Sequence, residues 1–151
     1  MSEKKHEPRS RRRPHSTPTA VPYLEVDLVR ESEQLRREPE WKTGQNAKTL
    51  VKYDDLRVVL IALTAHSRIP QHHTEARISI HTIQGRIQVR AEGRTFGLPA
   101  GTLLALDQGS GHDVEALEDS LFLLTIAWPG RAERPSARPR GTRHALPQRD
   151  G

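Results

Sequence analysis

The sequence contains no cysteine, which excludes a disulfide framework, thiolate catalysis and a zinc site built on sulfur. Any metal would have to be held by His, Asp, Glu or water. Nor is there an apolar run approaching the roughly 20 residues of a membrane-spanning helix. The basic start Arg11-Arg12-Arg13 is followed, from His15 to Pro22, by no apolar segment of the kind an export signal needs. A cytoplasmic protein without membrane contact is therefore expected. Aromatic residues are scarce, two each of Phe, Trp and Tyr, so the folded part offers no base-stacking platform for nucleic acid.

The chain carries a formal charge of +5, but the excess sits at its ends. Residues 1–22 hold six Lys/Arg against two Asp/Glu, and residues 129–151 hold six against two. By difference, residues 23–128 carry twelve basic and fifteen acidic side chains, a net of −3. Four prolines fall in each end segment as well. Segments rich in Arg, Pro and Ser bury too little apolar surface to offset the entropy of ordering, so both ends are expected to be disordered tails around a folded region at 23–128. Nucleic acid would be reached only through those tails, by counterion release.

Within 23–128 the dominant period is two. Leu24, Val26 and Leu28 alternate like a short lead-in strand, while Leu28 and Leu35 share one face of a helix capped by Asp27 and ended at Glu38-Pro39-Glu40. Trp41 is placed to anchor the connection that follows. Asp54-Asp55 turns one strand, 48–53, into another, 56–65, whose nearly continuous apolar character fits cover on both faces or a subunit contact. The segment from His66 through Glu75 reads as a loop. Ile78, Ile80 and Thr82 then alternate with Ser79, His81 and Ile83, and Ile87, Val89 and Ala91 alternate with Arg86, Gln88 and Arg90 across the turn at Gly85. Further turns at Glu92-Gly93 and Pro99-Ala100-Gly101, the loop 107–111, and a last apolar strand from Ser120 complete about seven to nine short strands. That pattern predicts an antiparallel β-sandwich or barrel.

Two histidine-bearing stretches stand apart in sequence, Ile69–Glu75 with His72 and His73, and Gly101–His112. In the second, Gly101, Gly109 and His112 keep the spacing of the second motif of the cupins, with Asp107 where proline is usual and Ala116 where asparagine is usual. With Gly85 as the closing glycine of the first motif, His72 and His73 fall in its histidine window and Ile78 falls at its glutamate position. The region 45–128 thus resembles a small single-domain cupin of the cupin-2 conserved-barrel type with a degenerate metal motif.

The resemblance implies an all-β, antiparallel jelly-roll barrel (a double-stranded β-helix) with one short N-terminal helix. It implies a pocket lined by His72, His73, His112, Ile78 and Ile80. In metal-binding cupins His72, His73 and His112 would be ligands to Fe, Mn, Ni or Zn, here weakly held because Ile78 replaces the carboxylate and Glu75 comes too early to substitute. Glu75 and Arg77 read as surface charges. If Ile78 and Ile80 point inward, alternation turns His81 outward.

Three functions follow as expectations. The first is a small-molecule-binding or sensing protein with a His-lined pocket, metal optional. The second is a metal-dependent cupin enzyme of dioxygenase or isomerase type. The third is nucleic-acid association through the tails. Sheet edges and the apolar run Val58–Leu63 lead to the expectation of a homodimer.

Overall fold

In the computed structural model, residues 22–130 are described. The expected tails at 1–22 and 129–151 lie outside the described residues apart from Pro22, Pro129 and Gly130. Among the described residues, a single α-helix, α1 (Leu28–Arg37), is followed by a 3-10 turn at Pro39–Thr43 and nine strands: β1 (Gln45–Lys52), β2 (Leu56–Leu63), β3 (Arg68–His72), β4 (Arg77–Gln84), β5 (Arg86–Ala91), β6 (Arg94–Pro99), β7 (Leu103–Leu106), β8 (His112–Ala116) and β9 (Ser120–Ala127). They form two antiparallel sheets, ordered β1-β2-β9-β4-β7 and β3-β8-β5-β6. This is the jelly-roll arrangement expected from the sequence.

The helix forms where the pattern predicts it. The Asp27 carboxylate accepts hydrogen bonds from the backbone N–H of Val29 and Arg30 at 3.1 and 3.2 Å, which satisfies donors left open at a helix N-terminus. Its inward residue, Leu35, is buried against Leu60, Ala62 and Leu121, with Trp41 packed alongside. Burying one leucine is worth about 2 kcal/mol. An ion pair between Lys48 and Glu31 further ties the helix to β1. The apolar run of β2 is therefore covered on its outer face by the chain's own helix, which removes the reason for assigning that run to a subunit contact.

Between the sheets, side chains stack in rows set by strand register. Ile61 pairs with Phe122 and Phe122 with Thr82. One step toward the other end, Val59, Leu124, Ile80 and Leu104 are successive partners, and beyond them come Arg57, Ile126, Ile78 and Leu106. The facing sheet contributes Ile87, Val89, Leu98, Val114 and Ala116.

Two expectations are corrected. Residues 22–27 form no strand, because among the described residues no strand pairs with them. The segment 68–72, read as loop, is β3, an edge strand paired to β8. Its burial shows no alternation, as only Ile69 is partly covered, so period two could not be seen in the sequence. Among the described residues no helix is long and apolar enough to cross a membrane.

Candidate functional site

The two ends of the sandwich differ. At one end the connections are short and hydrogen-bonded: Gly85 takes φ +77°, and Ser120 Oγ accepts from Arg86 N–H at 3.1 Å while donating to the Glu118 carbonyl at 2.7 Å. A Cβ on Gly85 would collide with the Asp119 carbonyl oxygen and Ser120 Oγ. At the other end, the loop 73–76 joins His72 to the start of β4, and the loop 107–111 joins the end of β7 to His112. The Gly109 N–H donates to the Thr74 carbonyl at 2.8 Å, which fastens the two loops together. Gly109 adopts φ +76° to make that approach, a conformation that favours glycine.

These loops deliver the histidines to adjacent strands. His72 and His112 are direct cross-strand partners on β3 and β8, and their rings lie with centroids 4.3 Å apart at a tilt of 59°. Each ring is held by the same local device. His72 Nδ1–H donates to the Pro70 carbonyl at 3.0 Å and His112 Nδ1–H to the Ser110 carbonyl at 3.1 Å, in both cases two residues back. A carbonyl can only accept, so Nδ1 carries a proton in each ring, and in the neutral form of the imidazole the lone pair is on Nε2. His112 is 2% exposed. Burial pushes its pKa below the ordinary imidazole value, the Ser110 hydrogen bond and Asp113 acting against this and the neighbouring His72 with it. The ring is neutral at pH 7, an acceptor rather than a cation.

The remaining sequence-predicted residues separate into two groups. Ile78 and Ile80 are buried on the inner face of β4, within the hydrophobic core. His73 lies past the end of β3 with its side chain exposed, and Glu75 is exposed in the loop. No bulge interrupts β4 between Arg77 and Thr82, so His81 faces outward, beside Leu103 and Leu123. Arg77 is exposed and paired with Asp107 at 3.1 Å.

The donor set does not fit a resident metal centre. Among the described residues no group of three His, Cys, Asp or Glu side chains comes together, and His72 with His112 is one protein ligand short of the three that metal enzymes of this kind use. The carboxylate position holds Ile78, which brings no donor. The chemistry of the pair is therefore that of imidazole: accepting a hydrogen bond or a proton at Nε2.

Sequence reasoning missed Arg57. Two buried side-chain polar atoms among the described residues lack a hydrogen-bond partner, Arg57 Nε and Thr82 Oγ1. Arg57 shares its strand face with Val59, Ile61 and Leu63, which pack in the core between the sheets. That alternation was visible in the sequence, but the inner face of β2 was not.

No family model matches the sequence, and none of the curated proteins matches it either. Solved structures do resemble it in three dimensions. A cupin superfamily protein from Desulfitobacterium hafniense is 10% identical, with the likeness covering 56% of this chain and 78% of that one at a TM-score of 0.55. KdgF from Halomonas sp. is 23% identical over 60% of this chain and 84% of its own, at 0.55. Salicylate 1,2-dioxygenase from Pseudoaminobacter salicylatoxidans is 13% identical over 68% of this chain but only 34% of its own length, at 0.62. At these identities the likeness is one of fold, and the set spans named enzymes as well as proteins without a stated activity.

Proposed function

We propose that this chain, whose fold is that of the small single-domain cupins, binds a small molecule at the loop-bearing end of its sandwich, with His72 and His112 as the polar contacts. The carrying observation is the pair itself: two imidazoles 4.3 Å apart, each fixed through Nδ1 so that Nε2 is free. Ile78 and Ile80 supply the apolar wall beneath them. Ligand sites of this type combine apolar lining with few fixed polar groups. Metal is not required in this reading, since two imidazoles without a third protein donor among the described residues give Fe, Mn, Ni or Zn only a weak hold. The metal-dependent enzyme reading lacks a third protein ligand to support it. A homodimer is proposed only on the free edge of β1, since strand edges invite pairing.

The test is a fragment screen on the full chain by two-dimensional amide NMR, combined with elemental analysis of protein purified without an affinity tag. Perturbations are expected at His72, Ala91 and His112 and at Ile78 across the sandwich, with metal well below one equivalent. Fragments that bind only elsewhere would remove the proposal. One equivalent of metal that supports turnover would favour the enzyme reading instead.

A further inference from the structure

We propose that this site selects ligands bearing a carboxylate and that Arg57 is the residue that recognises it, an inference that rests on the reading of the His72–His112 end as a ligand site. Arg57 pairs with Ile126, Ile126 with Ile78, and Ile78 with Leu106, so the four form one row across the first sheet. The other three are apolar, and each packs in or against the core. The row lies at the same end as the histidines, because the loops 73–76 and 107–111 carry the chain from His72 to the start of β4 and from Leu106 to His112. Facing sheets are separated by about 10 Å. Arg57 and the two histidines therefore sit at the same end of the sandwich on facing sheets, a spacing that suits a small organic acid.

An arginine in this position is otherwise hard to account for. Packing would favour an aliphatic residue, as in the rest of the row. Arg57 Nε is buried without a partner, and among the described residues the side chain makes no ion pair and no hydrogen bond. Two other arginines at this end do have carboxylate partners, Arg77 with Asp107 at 3.1 Å and Arg90 with Asp113 at 3.0 Å. A half-buried guanidinium whose Nε lacks a partner gains that partner when an anion arrives. It is also held ready for one, since its carbon sits 5.3 Å from the centroid of the Trp128 ring, a cation–π contact that limits the conformations to be lost on binding. The planar fork matches a carboxylate through paired N–H donors. Ile78, Ile126 and Leu106 receive the ligand's apolar body, and the Nε2 atoms across the sandwich are left for a hydroxyl or a second polar group. Thr82 Oγ1, the other unpartnered atom, lies two rows deeper behind Ile80 and Leu124 and takes no part.

The experiment titrates the full chain with acetate, hexanoate and benzoate, each against its neutral amide, following amide NMR shifts. At least one acid is expected to bind roughly tenfold more tightly than its amide, with shifts at residues 57, 78 and 112. In Arg57→Gln the preference should vanish while the spectrum stays folded, and Arg57→Lys should keep part of it, because the charge remains and the fork is lost. Equal binding of acid and amide, or an acid preference that survives Arg57→Gln, overturns the role of Arg57 and leaves the ligand site standing. Absence of binding by every acid and amide up to about 10 mM overturns both.

Discussion

The two ends of this sandwich are built from the same strands and spend their residues differently. At the closed end, Gly85, Ser120 and the turn at Glu118 make backbone-directed hydrogen bonds, and the rows beneath are wholly apolar apart from Thr82. At the open end, the last row carries a guanidinium, the facing strands carry two imidazoles, and residues of the same inner faces such as Val59, Leu104, Leu106, Leu124 and Ile126 are only partly buried. Stability is concentrated in the apolar rows of the closed half, and the charged and imidazole groups on the inner faces are concentrated where packing is incomplete. Strands fix positions to fractions of an ångström while their connecting loops remain free to vary, so one end serves to hold the other in place.

Substitutions should therefore separate the ends by size and even by sign. Phe122→Ala, in the closed half, is expected to cost about 3–5 kcal/mol, read by urea unfolding. Gly85→Ala should cost about 1–3 kcal/mol, since it combines an unfavourable φ with a backbone collision; a loss below 0.5 kcal/mol (about the size of a neutral surface change) would break the comparison. Arg57→Leu is expected to be neutral or to stabilise by about 1 kcal/mol, because a half-buried arginine with an unpartnered Nε is replaced by an apolar side chain. A large destabilisation there would mean that Arg57 is structural, and would sharpen the boundary between the ends.

The pH dependence supplies a fourth test. Burial lowers the pKa of His112 in the fold, so the unfolded chain binds its proton more readily. The stability contributed by the neutral ring is present above the ordinary imidazole pKa of 6.5 and is lost as pH falls below it. His112→Asn should accordingly flatten the fall in thermal midpoint between about pH 7.5 and 5.5. Asp107, whose carboxyl is held below its usual range by the Gln108 N–H and then by Arg77, acts at lower pH and leaves that window clear. The smallest effect is expected at His72→Ala, a change of about 0.5 kcal/mol or less because the residue is exposed, with ligand-induced shifts at the His112 end reduced all the same.

Much of the closed half was legible in the sequence. Alternation through Ile78–Thr82 and Ile87–Ala91 identified β4 and β5 and their inner faces, and Asp27 identified the helix start. The Gly101, Gly109 and His112 spacing located the second histidine loop. The open end was less legible for physical reasons. β3 is an edge strand with one covered residue, so no period marks it. The meeting of His72 with His112 depends on a strand pairing across forty positions, which no local pattern encodes. Arg57 lies in a nearly continuous apolar run, and its meaning depends on which face of β2 turns inward. The lead-in strand predicted from Leu24, Val26 and Leu28 failed because alternation without a partner strand makes no sheet.

Pro70 joins two demands that would otherwise compete. It lies in β3, the outermost strand of its sheet, where a register irregularity separates Ile69 from His72. A proline removes one backbone donor, and an irregular register removes the even ladder that a further strand would need. This rim is thereby a poor template for the stray strands of other chains, which is a safeguard against fibrous self-assembly. The same residue's carbonyl orients the His72 ring. Replacing Pro70 would put solubility and recognition at risk in a single step.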